Sequence, residues 1–377
     1  MSSAIEEGKT YEPGTYPDLP PPASEIGVYG WVYNNLLKGW VNSILTAVTI
    51  VFLVVVIPPS VNWLFLNAVF EGASRDDCRA IMNEAGTNGA CWAFIGHRFE
   101  LFVYGFYPVE ERWRVDISFI LMLAALVPVL WDKTPNRGKM MIASAIAPFV
   151  IGWLLVGGLG LEPVPTDKFG GFMLTLVIGV TGIVGSLPIG IVLALGRQSH
   201  LPAVRMVCVV FIEFIRGVPL ITLLFVASTM LNYFLPPGTT FDLLLRVLIM
   251  VTLFASAYLA EVVRGGLQAI PKGQQEAADS MGLKYWQSMR LIILPQALKI
   301  SIPGIVNTFI GLYKDTTLVI IIGLFDPLGV GRASLADTKW QGLSTEVYVF
   351  VAIFFFISCI AMARYSLYLE KKLHTGH

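Results

Sequence analysis

Eight mostly apolar stretches recur along the chain, at roughly 41–66, 116–131, 140–160, 171–195, 206–234, 243–263, 302–325 and 346–368. About 20 apolar residues in a helix cross the roughly 30 Å hydrocarbon core of a bilayer. Helix is the open-chain structure that satisfies its own backbone in lipid, so an all-α integral membrane protein with about eight transmembrane helices is predicted. The second stretch is short. The first contains Pro58-Pro59, and prolines kink helices. Trp40 and Trp63 bracket a membrane-sized length there, as interfacial aromatics do, so one kinked span is expected.

The polar islands between these stretches set the orientation. Arg264, Lys272, Lys284, Arg290 and Lys299 crowd the island at 265–299 and its edge, and short cation-rich loops stay on the cytoplasmic side. Alternating the spans from there puts Lys133, Arg137, Lys139, Arg197 and Arg205 inside, with Arg364, Lys371 and Lys372. Both termini are then cytoplasmic. Residues 67–115 resist the rule, because Arg75, Arg79, Arg98, Arg112 and Arg114 fall outside. Long loops weigh little in orientation, and seven carboxylates from Glu71 to Glu111 offset them. The aromatic stretch 90–107 reads either as a segment lying along the membrane surface or as a soluble loop folded on itself.

Composition agrees with the pattern: the 377 residues are 55% hydrophobic and 14% charged, against about 25% charged in soluble domains. Net charge is zero and the cations are scattered, which argues against a nucleic-acid partner; membrane lipid is the expected surround. Residues 1–38 hold Pro13, Pro17, Pro20, Pro21 and Pro22 and no apolar run, so a loosely held cytoplasmic tail is expected. A stiff Glu162-Pro163-Val164-Pro165 divides a three-span extension (39–165, with its outer loop at 67–115) from a five-span core (166–377). Cys78 and Cys91 both fall in the outer loop, where an oxidising compartment favours a disulfide that would stabilise the fold by about 3 kcal/mol. Cys208 and Cys359 lie in spans and are expected to stay reduced. No metal pattern joins the four histidines.

The island at 258–298 carries the most information. Gln274–Met281 favours helix, and Gly282 stops it as a C′ glycine does; a side chain there is expected to clash if the backbone is left-handed. Tyr285–Ile293 can form a second short helix, with Pro295 opening the next element. Glu276, Ala277, Ala278, Gly282, Ile292, Leu294 and Pro295 stand at the spacing Glu-Ala-Ala, three residues, Gly, nine residues, Ile, one residue, Leu-Pro. This pattern resembles the EAA loop of ABC-importer permeases.

The resemblance extends from Gly170 to the C-terminus. Arg216-Gly217-Val218-Pro219-Leu220 is similar to the Arg-Gly-Thr-Pro-Leu motif of the polar and general amino-acid permeases, with Val218 replacing Thr. Residues 257–266 resemble the lead-in to that family's EAA loop. Lys314-Asp315-Thr316-Thr317-Leu318 resembles its Lys-Asp-Thr-Ser-Leu motif, with Thr317 where Ser is usual. The proline-rich start and inserted outer loop resemble the larger broad-specificity L-amino-acid permeases, some of whose relatives carry glutamate, glutamine, aspartate and asparagine. The resemblance implies an ABC-importer permease core in the last five spans, in a multi-pass protein of the bacterial inner membrane. It implies a second permease subunit, a cytoplasmic ABC ATPase dimer that binds ATP and Mg, and a periplasmic amino-acid-binding protein. No cofactor is expected on this chain, which has no GxxxxGK[ST] phosphate loop and is expected to be a conduit rather than an enzyme. Glu276, Ala277, Ala278, Gly282 and Pro295 are the expected ATPase-coupling residues.

Charges inside spans cost about 2.5–3.5 kcal/mol each on insertion scales and call for partners or a polar cavity. Glu213 with Arg216, and Glu261 with Arg264, stand three apart on their helices, close enough to pair. Lys314 and Asp315 lie about 18 Å into their span by helical rise, too divergent in direction to pair simply with each other. Lys314, Asp315, Thr316, Thr317, Glu213 and Arg216 are therefore candidates for the substrate pathway, against the plainer reading of helix-to-helix contacts. The glycines Gly179, Gly182, Gly185 and Gly190 read as close helix packing. Two rival classes fit less well. An ion-coupled secondary transporter would show repeats with broken helices, and an intramembrane enzyme needs a catalytic constellation that the spans lack.

Overall fold

A computed structural model describes residues 27–131, 134, 136–230, 233, 236 and 241–373. The proline-rich start, Lys133, most of the loop after residue 230 and His374 and His377 lie outside the described residues. All regular elements described are helical. The chain forms two compact units, one of the described residues up to Val69 with Arg79–Ala90, the other of Phe70–Cys78 with Cys91 onward.

In the smaller unit, α1 (Gly27–Val32) continues as a π-turn to Leu37, so the tail expected to be loose through residue 38 is helical from Gly27. The span α2 (Trp40–Val61) keeps Pro58 and Pro59 inside the helix and passes into a π-turn over Asn62–Leu66. The missing proline N–H groups cost bonds that a widened turn absorbs. One continuous run of 27 residues results, a single span as expected. α3 (Arg75–Glu84) starts at the edge of the larger unit, three residues before Cys78.

The larger unit begins with a disulfide between Cys78 and Cys91, both nearly fully buried. α4 (Ala93–Tyr104) follows. It neither lies free on a membrane surface nor folds on itself: its Phe102 is buried against Phe172 and Phe350 of two core helices. Three of the five cations that breached the charge rule are paired here. Arg112 meets Glu100 at 2.6 Å, Arg114 meets Glu111 at 2.7 Å, and Arg98 pairs with Asp337. α5 (Arg112–Leu130) and α6 (Arg137–Val156) form a hairpin. α5 opens on Arg112, Arg114 and Asp116, so its apolar part is short.

The core spans are α7 (Gly171–Arg197), α8 (Pro202–Gly217) with α9 (Leu220–Thr229), α10 (Leu243–Gln268), α13 (Leu294–Asp315) and α15 (Ser344–Leu373). The predicted span at 206–234 is broken, since α8 and α9 meet at 101°. Pro219 lacks an N–H and forces Val218 into extended backbone (φ −111°, ψ 132°), which ends α8. Counting that pair as one span, seven described helices or pairs are long and apolar enough to cross a membrane. α7 lies at the centre, and small residues let its neighbours close in. A Cβ on Gly182 would stand 3.0 Å from Leu312 and 3.2 Å from Val251, and one on Gly190 would stand 2.8 Å from Leu259. An outer core of Met173, Leu174, Ile178, Leu224, Val251 and Leu312 joins α7, α9, α10 and α13.

Candidate functional site

The polar island folds as predicted up to its glycine. α11 (Lys272–Ser280) starts just after Pro271 and ends on Met281. The Gly282 N–H donates to Asp279 O at 2.9 Å, and the Leu283 N–H donates to Ala278 O at 3.2 Å. These two bonds form a Schellman motif, which requires a left-handed residue between them; Gly282 has φ +73°. The expected clash is absent, because a Cβ there would meet nothing within 4 Å. What excludes other residues is backbone strain alone.

Past the glycine, the structure departs from two separate short helices. α12 (Tyr285–Ser288) runs through a π-turn at Met289–Ile293 directly into α13. The Leu294 N–H donates to Met289 O, five residues back. The wider turn admits Pro295, which lacks an N–H, without a break. The knob is therefore rigidly continuous with a membrane span. Its EAA triplet divides by exposure: Glu276 and Ala277 are exposed, whereas Ala278 is fully buried. Met281, Tyr285 and Trp286 add exposed apolar surface at the tip. Beneath it, Met289, Ile293 and Ala297 join Ala194, Ile212, Ala260, Val263 and Leu267 in an inner core. At the root, Ser301 donates to Val262 O at 3.2 Å, and a Cβ on Gly266 would lie 2.5 Å from Ala297 O.

Above this inner core the charges combine differently from the sequence expectation. Glu261 pairs with Arg264 as predicted, at 2.8 Å. Glu213 does not pair with Arg216. Arg197, at the end of α7, reaches Glu213 at 2.8 Å and Glu261 at 2.7 Å, while Arg216 approaches Glu261 at 3.6 Å and stacks over Tyr258 at 5.6 Å. The reason is tertiary: α7 and α10 present Arg197 and Glu261 to α8 at shorter range than its own next turn. The sequence marked Arg197 only as a loop cation ending an apolar run, with nothing to pair it with Glu213 or Glu261.

Lys314 is exposed and Asp315 partly so, and among the described residues neither has a salt bridge. The α-helix ends at Asp315 and tightens to a 3-10 helix over Thr316–Ile322. Thr316 and Thr317 turn their hydroxyls back to Tyr313 O and Lys314 O at 2.8 and 3.0 Å. At about 2 Å rise per residue, Asp315 stands about 14 Å from the end of that segment, near the middle of a 30 Å core. Two buried groups escaped the sequence reading. Arg246 donates to Ser228 O at 2.6 Å at the end of α9, where a cation complements the helix dipole. Asp326 caps α14 (Pro327–Ser334) by accepting from the Gly329 N–H at 2.8 Å, and burial pushes its carboxyl up to about 6. Among the described residues no group of three or more His, Cys, Asp or Glu could hold a metal.

Residues 186–375 match the family model described as the binding-protein-dependent transport system inner membrane component. The chain is 50% identical to the inner membrane amino-acid ABC transporter permease protein YhdY of Escherichia coli (strain K12), with 96% of this chain and 97% of that protein aligned. It is 46% identical to the glutamate/glutamine/aspartate/asparagine transport system permease protein BztC of Rhodobacter capsulatus, over 95% of this chain and 96% of that one. Among solved structures, an amino acid ABC transporter with histidines is 28% identical, with a TM-score of 0.47, and the match covers 53% of this chain and 91% of that chain.

Proposed function

From the premise that this chain belongs to the family of binding-protein-dependent transport system inner membrane components, we propose that it is the permease subunit of an ABC importer moving polar, acidic or a broader range of L-amino acids into the cytoplasm. ATP and Mg belong to a separate ATPase dimer, a second permease subunit completes the conduit, and a periplasmic amino-acid-binding protein delivers substrate. Both termini face the cytoplasm in this reading, which rests on the cations of the short loops.

The observation that carries the proposal is the knob. Its Glu276, Ala277, Met281 and Trp286 are exposed, while its other face is built into α10 and α13. A partner that grips the tip therefore moves two span ends. The pathway reading rests on Lys314 and Asp315. An unpaired charge near mid-bilayer is costly against lipid, so it belongs against a water-filled path or a second subunit. A zwitterion in transit needs an anion for its ammonium and a cation for its carboxylate, and this pair supplies both, with hydroxyls of Thr316 and Thr317 alongside. Glu213 and Arg216 stand nearer the cytoplasmic end.

Reconstitution of the permease pair with the ATPase and binding protein in liposomes tests this. ATP-dependent uptake of radiolabelled L-glutamate and L-glutamine is expected, and none without the ATPase. Uptake that persists without the ATPase and follows an ion gradient would overturn the proposal.

A further inference from the structure

We propose that Glu261 and Arg197 are positioning residues that transmit knob movement to α7 and α8, an ionic joint without which ATP hydrolysis runs uncoupled from transport; this rests on the importer reading above. Glu261 lies 18 residues after Leu243, about 27 Å along the span by helical rise, close to the cytoplasmic edge and two turns before the loop that leads to α11.

Its two carboxylate oxygens are engaged by three guanidinium groups from three helices. Oε1 takes Arg197 of α7 at 2.7 Å. Oε2 takes Arg264 of its own helix at 2.8 Å and stands 3.6 Å from Arg216 of α8. Arg197 then reaches on to Glu213 of α8 at 2.8 Å. One carboxylate thus ties the inner ends of α7, α8 and α10 together.

The surrounding contacts explain why an ionic joint matters here. The inner core beneath is made of Ala194, Ile212, Ala260 and Val263, small and aliphatic surfaces that attract without direction. Such faces can slide past one another, as packed helices do in shear motions. The forked contact, from Arg264, holds the Glu261 carboxylate in place within α10, and Arg197 Nη1, standing between Glu261 and Glu213, ties that fixed charge to α7 and α8. α10 and α13 are already locked at Gly266 and Ser301, so they follow the knob in any case. α7 meets α10 closely at Gly190, and Arg197, Arg216 and Glu261 add a charged tie that joins both α7 and α8 to α10 at their inner ends. The three arginines outnumber the two glutamates, so loss of Glu261 also leaves like charges facing each other across the helix ends.

The test uses the full reconstituted complex and reads uptake of radiolabelled L-glutamate and L-glutamine per ATP hydrolysed. In Glu261→Gln and Arg197→Gln, that ratio is expected to fall about fivefold or more while ATPase activity persists, and Arg197→Lys is expected to recover part of it. Arg197→Gln leaves Glu261 paired with Arg264, so it carries the test should Glu261→Gln fail to assemble. A purely structural role would lower complex yield and both rates together, leaving the ratio at the wild-type value, and that result would overturn the proposal. Wild-type complex without ATP-dependent uptake would instead overturn the importer reading on which it stands.

Discussion

Replacing Gly282 isolates the backbone of the knob from everything else. The residue sits at φ +73° between two Schellman bonds, and open space surrounds the position of a Cβ. Steric contact therefore contributes nothing, and the whole cost is the left-handed backbone, about 1–2 kcal/mol for an ordinary L-residue. That is a factor of about 5–30 in the population of the native joint. Asn enters this region readily, whereas a β-branched residue there is a true outlier. Gly282→Asn should keep transport near wild type, and Gly282→Val should lower it several-fold at equal complex yield. The pair is compared by ATP-driven uptake and stimulated ATPase in the reconstituted complex. Equal uptake by the Val and Asn variants would refute the argument that the left-handed turn sets the knob.

Further outcomes follow from other parts of the molecule. Lys314→Met and Asp315→Asn should reduce uptake more than assembly; collapse of the complex in both would place the charges in helix contacts instead, and normal uptake in both would show that neither matters. Denatured protein alkylated without reductant should carry label on Cys208 and Cys359 alone, with Cys78 and Cys91 labelled after reduction; free thiols at 78 and 91 would contradict the disulfide. The Asp326 carboxyl, raised by burial to about 6, binds its proton more tightly folded than unfolded. Its protonation therefore favours the fold at about pH 4 and below, and that contribution is lost as pH rises to about 6, by up to about 3 kcal/mol. Asp326→Asn should flatten the melting temperature between pH 4 and 6.5 and raise it relative to wild type at pH 7.5; an unchanged profile would show that the carboxyl is not titrating in that window.

What the sequence disclosed was set by how local each signal is. The spans followed from apolar runs, and the end of α11 from one glycine, because both are decided within a few residues. The 101° break between α8 and α9 was written in Val218-Pro219, yet the apolar run continued across it. Hydrophobicity sees length, and only proline stereochemistry sees the bend. The continuity of α12 with α13 went the other way. Pro295 argues locally for a boundary, but a π-turn supplied five-residue hydrogen bonding that needs no proline donor.

The ionic cluster lay beyond local reading for a different reason. Spacing on one helix makes Glu213 and Arg216 neighbours, and it takes no account of what another helix brings. Arg197 comes from α7, 16 residues earlier in the sequence and across a turn, and it displaces Arg216 as the partner of Glu213. Which cation wins depends on how closely α7, α8 and α10 approach. That approach is set by Gly190 against Leu259, and by Gly196, where an added Cβ would stand 2.4 Å from Cys208 Sγ. Gly190, read in the sequence only as a packing device, and Gly196, which that reading passed over, thus decide which charges meet. A larger residue at Gly196 would separate α7 from α8 and part Arg197 from Glu213 before touching any charged group.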